Sequence, residues 1–138
     1  MNKIEPVKFG TDGWRAVIGE DYTFLNVRRI SLAVALHFKN HSKIKNGMVI
    51  GYDTRFLSCE FASASAEVFA NNGINVILTD SFVTTPAVSL LVKNEKLAFG
   101  VVITASHNPY KYNGFKLKDE FGGSMYPDEI LKIEAKLK

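Results

Sequence analysis

Three apolar stretches of this chain break off abruptly into polar residues. Met48-Val49-Ile50-Gly51-Tyr52 runs into Asp53-Thr54-Arg55, Asn75-Val76-Ile77-Leu78 into Thr79-Asp80-Ser81, and Leu97 to Ile103 into Thr104-Ala105-Ser106. Runs this short, apolar and rich in β-branched residues read as strands covered on both faces. Between the first two lies a helical stretch from Ser58, read as its cap, to about Asn72, with Gly73 as the stop. A strand–helix–strand unit of this length implies a parallel pair joined by a right-handed crossover. A short helix from Thr85, with Pro86 at its first position, to about Lys93 links the second run to the third. The three polar endings then fall on one edge of the sheet, where open α/β sheets form their ligand crevice. The strand from Leu97 is expected to be central or next to central, with Ser106 exposed on that edge.

The remaining segments complete an α/β pattern. Trp14-Arg15-Ala16-Val17-Ile18 reads as a short strand after the turn Gly10-Thr11-Asp12-Gly13, either a surface hairpin or a loop aiming Arg15 at an anion. A helix of about Thr23 to His41 carries Val27, Ile30, Val34 and Phe38 at helical spacing, with Leu25, Leu32 and Leu36 widening the stripe. Gly114 to Lys118 alternates like a strand and is expected to be an antiparallel edge, and Pro127 opens a last helix with Ile130, Ile133 and Leu137 facing inward. The expected fold is α/β: a three-layer α/β/α sandwich with a small mixed, mostly parallel sheet.

Composition excludes several classes. At 138 residues the chain fits one domain with a real core. A net charge of +3, with lysines clustered only at Lys132, Lys136 and Lys138, is too mild for a nucleic-acid partner. No apolar run approaches the roughly 18 residues of a membrane span, and Met1 to Pro6 lacks a signal-peptide pattern, so the cytoplasm is expected. The single Cys59 excludes an internal disulfide and reads as a small core residue. His37 and His41 have a metal-binding spacing, but no acidic residue is near them in sequence, so a solvated helix face is the reading.

The chemistry concentrates in Thr104-Ala105-Ser106-His107-Asn108-Pro109 and in Asn113-Gly114-Phe115-Lys116. Pro109 forbids a following helix and biases Asn108 to an extended backbone. Ser106 is a candidate nucleophile, and His107 and Lys116 are candidate proton carriers. The nucleophile-elbow pattern fails, because Thr104 and Asn108 occupy its glycine positions, and neither a Walker loop nor Gly-x-Gly-x-x-Gly is present. Asp53-Thr54-Arg55 reads either as a local ion pair or helix cap, or as a ligand contact.

The segment from Thr104 to Pro109, followed by Tyr112 to Lys116, resembles the phosphoserine loop of the α-D-phosphohexomutases, the phosphoglucomutase/phosphomannomutase family. Phe9-Gly10-Thr11-Asp12-Gly13-Trp14-Arg15 and Gly51-Tyr52-Asp53-Thr54-Arg55 resemble that family's opening motif and second strand end. The resemblance implies that Ser106 carries a phosphoryl group exchanged with a hexose phosphate through a hexose bisphosphate. It implies Lys116 as general acid/base with His107 beside it, phosphate contacts from Arg15, Asn108 and Arg55, and Mg²⁺ held through the Ser106 phosphate. Ser106 and Lys116 are both expected to have exposed side chains.

The resemblance covers one of the family's four domains. The metal loop Asp-x-Asp-x-Asp-Arg, the sugar loop Gly-Glu-x-Ser-Gly and the C-terminal phosphate loop have no counterpart, and Asp53, Asp80, Asp119 and Asp128 are scattered. Residues 1–138 are therefore expected to be a phosphohexomutase-like domain I without the later domains that partner it. In isolation it is expected to be inactive toward hexose 1- and 6-phosphates. Two rival readings are a stand-alone phosphate-binding module and a structural domain without function.

Overall fold

The computed structural model describes residues 7–137. Lys138, the last member of the lysine cluster, lies outside them. The described chain runs β1 (Trp14–Val17), α1 (Phe24–Phe38), β2 (Met48–Tyr52), α2 (Ser58–Asn71), β3 (Val76–Leu78), α3 (Thr85–Asn94), β4 (Phe99–Ile103), β5 (Tyr112–Lys118) and α4 (Pro127–Glu134). The five strands form one sheet in the order β1-β5-β4-β2-β3. β2 pairs in parallel with β3 and β4, while β5 pairs antiparallel with β4 and β1. Four strands therefore run one way and only β5 runs against them. The expected mixed α/β/α sandwich is present.

The layers follow from strand alternation. Met48, Ile50, Phe99, Val101, Ile103, Phe115 and Leu117 share one core with Val27, Ile30, Val34 and Phe38 of α1 and Phe61 and Phe69 of α2. Ile133 of α4 closes the same core. On the other face Val49 and Val102 pack against Val88 and Val92 of α3 alone. In the register, Val102 faces Lys116, Gly100 faces Lys118 and Gly114 faces Arg15. The α3 face thus becomes cationic across β5 and β1, and that half of the sheet carries the site.

Several expectations need correction. β5 is interior, because β1 pairs with its outer side, so the edge falls one strand further out. β3 is an edge strand whose Ile77 and Leu78 are exposed, and it is not a core strand. Leu25, Leu32 and Leu36 are exposed rather than part of the buried stripe of α1. Thr23 caps α1, its side chain accepting a bond from the Asn26 N–H at 3.2 Å. Residue Leu57, in the left-handed region, precedes α2, and Ser58 is its buried first residue rather than its cap. Thr84, one residue earlier than expected, caps α3. Cys59 is exposed, since it lies on the outward side of the first turn of α2.

The face bearing His37 and His41 is not solvated. His37 Nε2 meets Glu129 Oε2 of α4 at 2.6 Å, and His41 Nε2 lies 3.6 Å from Glu120 Oε1. The glutamates come from 92 and 79 positions away, which no local sequence window reveals. Among the described residues no group of three or more His, Cys, Asp or Glu could hold a metal.

Phe99 ties the layers together. Its ring stacks on Phe38 at 4.2 Å between centroids and meets Phe69 at 5.4 Å. Phe99→Ala is expected to cost about 3–5 kcal/mol. Urea unfolding should show a lowered midpoint with an unchanged slope.

Candidate active site on the sheet edge

The site begins at the carboxyl ends of β2 and β4, which lie side by side. Asp53, directly after β2, accepts bonds from Ser58 Oγ at 2.7 Å, from the Arg55 N–H at 3.0 Å and from Thr104 Oγ1 at 2.6 Å. The Thr104 hydroxyl in turn accepts from the Ser106 N–H at 3.0 Å. One carboxylate thus fixes the start of the loop that follows β4. Ser58 also accepts a bond from Asn113 Nδ2 at 2.9 Å, which ties β5 to the same centre. The Asp53 motif is therefore a structural hub, and Arg55 reaches further than a local ion pair. Its guanidinium donates to the carbonyls of Ser106, Asn108, Pro109 and Tyr112.

Ser106 is exposed and sits at φ +54°, the left-handed region that a serine seldom adopts. Such a conformation persists only where the surroundings impose it. His107 beside it is exposed, and Asn108 is partly buried. Arg15 Nη1 donates to Asn108 Oδ1 at 2.7 Å, so Arg15 and the loop do meet across 93 residues. Lys8, Asp12, Arg15, His107 and Asn108 line a cleft of about 620 Å³.

Lys116 is not exposed as expected. Only 6% of it is accessible, because the Gly10–Gly13 turn lies over it. Gly13 sits at φ +92°, and a Cβ there would come within 2.6 Å of the Phe115 carbonyl and 3.1 Å of Lys116 Cγ. Only glycine serves at that position. The Lys116 ammonium donates to Asp12 Oδ2 at 2.8 Å, and Arg15 Nη2 approaches the same oxygen at 3.4 Å. The hydrogen bond from Lys116 holds the Asp12 carboxyl below its ordinary range, against a smaller opposing effect of burial.

Sequence reasoning passes over two residues. Asp12 stands within a motif but receives no role there, since its partner is 104 positions away. Lys118, 8% exposed, lies two residues beyond Lys116 and so shares its face of the sheet. Burial lowers its pKa first, nearby Lys116 lowers it further, and Asp12 acts in the opposite sense. The alternation of lysines in Lys116-Leu117-Lys118 is the available signal. Beneath the loop, the buried Tyr22 hydroxyl donates to the Gly114 carbonyl at 2.7 Å. Burial and then the Asp53 charge push its pKa well up, keeping it a neutral donor.

A family model described as phosphoglucomutase/phosphomannomutase, alpha/beta/alpha domain I, matches residues 6–138. The chain belongs to the phosphoglucomutase/phosphomannomutase family. It corresponds to domain I of that family. It is 42% identical over 125 residues to a phosphoglucomutase of Staphylococcus saprophyticus, covering 88% of this chain and 22% of that protein. A crystal structure of a Thermus thermophilus protein superposes with a TM-score of 0.91 at 40% identity. That match covers 96% of this chain and 30% of the other. A phosphoglucomutase/phosphomannomutase family protein of Burkholderia thailandensis shares the fold, with a TM-score of 0.83 at 24% identity. The chain thus spans about a fifth to a third of the length of these relatives.

The domain I geometry makes a prediction about acid. Asp12 has its pKa lowered on folding, so it adds stability above its unfolded value of about 3.8, and that stability is lost as pH falls through the lowered folded value. Asp12→Asn should flatten that acid limb. Urea midpoints taken above and below the unfolded value should differ less in the variant than in the parent chain. The effect should be small, because the Asp12 side chain is 47% exposed and screened by solvent.

Proposed function

We propose that this chain is the phosphoserine-bearing domain of a phosphohexomutase that interconverts hexose 1-phosphate and hexose 6-phosphate through a hexose bisphosphate. The observation that carries the reading is Ser106, exposed at φ +54° on a loop tied to the ends of β2 and β5. Such a serine is accessible on a backbone held at both its N–H and its carbonyl, which suits a covalent carrier.

In this reading phosphorylated Ser106 gives its phosphoryl group to a hydroxyl of the hexose monophosphate. The bond from phosphorus to Ser106 Oγ breaks and one to the sugar oxygen forms. Lys116, an ammonium against Asp12, gives a proton to the departing Ser106 Oγ and takes the sugar hydroxyl proton in its place, with His107 beside the path. The bisphosphate returns its other phosphoryl group to Ser106 Oγ, whose proton passes back by way of the same lysine to the sugar oxygen that loses the group. Phosphoryl transfer passes through a charge-spread transition state, so fixed cations matter most. Arg15 and Asn108 would hold phosphate oxygens at the mouth of the cleft. Arg55, assigned the same task from sequence, has both terminal nitrogens on loop carbonyls and would act on the phosphate only through the loop.

The family resemblance implies Mg²⁺. The described residues offer no three-ligand group, Asp53 is occupied by Thr104, Ser58 and Arg55, and Asp12 by Lys116. This chain by itself does not fit the ion, apart from an oxygen of a Ser106 phosphate, and no step is assigned to it. Later domains of the parent enzyme are proposed as the partners that complete the site, in the cytoplasm. No described helix is long and apolar enough to cross a membrane.

Three outcomes test the reading. Within the full-length enzyme, Ser106→Ala should abolish turnover, whereas Ser89→Ala and Ser124→Ala should leave most of it. Lys116→Ala should slow transfer by about 10²–10⁴-fold. It should also shift the unfolding midpoint, since this lysine is buried against Asp12. The 138-residue chain alone should show negligible mutase turnover, because positioning worth about 7–11 kcal/mol needs all parts of the site. Full activity in Ser106→Ala would refute the proposal.

A further inference from the structure

The loop that carries Ser106 is held by one side chain from another strand end. Arg55 Nη2 donates to the carbonyls of Ser106 at 2.8 Å and Asn108 at 2.7 Å. Its Nη1 donates to those of Pro109 at 2.9 Å and Tyr112 at 3.1 Å. The Nε lies 3.4 Å from Asp53 Oδ2, and the side chain is 14% exposed. All three guanidinium nitrogens are thereby engaged, and four carbonyls of one short loop converge on one cation.

That convergence has a geometric consequence. In a planar trans peptide the C=O of one residue and the N–H of the next point in opposite directions. The carbonyls of Ser106 and Pro109 point at Arg55, so the N–H groups of His107 and Tyr110 point away from it. Asn108 shows which way that is. Its carbonyl faces Arg55, while its side-chain Oδ1 faces Arg15 across the loop. Backbone N–H groups presented together from a loop are anion ligands, and a residue at positive φ helps to present them.

We propose that Arg55 is the positioning residue of the phosphoserine loop: by collecting its carbonyls it turns the His107 and Tyr110 N–H groups outward to receive the phosphoryl group on Ser106. This rests on the reading of Ser106 as a phosphoryl carrier. Arginine is required because its planar fork supplies donors in several fixed directions at once. A lysine at the same place is a single point charge and would gather at most part of the set. Arg55 does not itself touch the phosphate.

The test uses the full chain with phosphoserine incorporated at position 106 during translation, beside the unmodified chain, each with Arg55, Arg55→Lys and Arg55→Ala. Amide spectra are recorded through the phosphate titration. With Arg55 present, the His107 and Tyr110 amide protons should move downfield on phosphorylation and follow the phosphate titration. In Arg55→Ala both responses should vanish, and loop amide exchange should quicken at least about tenfold. Amides of Phe99 and Val101 in β4 should be unchanged, which separates loop loosening from unfolding. Millimolar guanidinium ion should restore part of the response in Arg55→Ala, and Arg55→Lys should restore less than the native residue. Should Arg55→Ala fail to fold, Arg55→Lys gives the same comparison. Amides that ignore phosphorylation in the native chain, or that respond equally in all three, would overturn the proposal. A full-length enzyme whose Ser106 accepts no phosphoryl group from a hexose bisphosphate would instead contradict the reading of Ser106 and leave this result standing.

Discussion

The Asp53 carboxylate is the interaction on which the site depends. It stands where β2 ends and accepts bonds from residues of three segments: Thr104 after β4, Ser58 in α2 and the Arg55 backbone. Each donor passes the constraint on. Thr104 holds the Ser106 N–H, Ser58 holds Asn113 of β5, and Arg55 holds the loop carbonyls. A charge this far from full exposure costs free energy unless it is hydrogen-bonded, and here three donors lie at 2.6–3.0 Å. The left-handed Ser106 is the product of that network, not of its own preference.

The second constraint is the unequal covering of the sheet. α1, α2 and α4 cover the main core face, whereas α3 packs on β2 and β4 alone on the other. The register then places Arg15, Lys116 and Lys118 on the half that α3 leaves. The Gly10–Gly13 turn lies over Lys116, and of the three cations Arg15 borders the cleft beside the serine loop. The contact of His37 in α1 with Glu129 pins α4 on the opposite face, and His41, just after α1, reaches Glu120 in the turn after β5.

Much of this was legible in the sequence because local rules carry it. The apolar runs before Asp53, Asp80 and Thr104 gave parallel strands with a shared polar edge, and Thr104 to Pro109 gave the loop. What escaped depends on partners far apart in the chain. Nothing local pairs Asp12 with Lys116, His37 with Glu129 or Arg55 with the carbonyl of Ser106. Lys116 looked exposed because a lysine usually is, and only the turn folded back from residues 10–13 buries it. β5 looked like an edge because β1, its outer neighbour, comes from the other end of the chain. Ser58 looked like a cap, and its hydroxyl is spent on Asp53 instead.

The central claim is that Ser106 is the covalent carrier, and phosphopeptide mapping addresses it most directly. The full-length enzyme is incubated with hexose bisphosphate bearing labelled phosphate, digested, and the labelled peptide sequenced. The account predicts acid-stable label on the peptide that contains Ser106 and on no other. Label on a histidine, or on a peptide without Ser106, would contradict it.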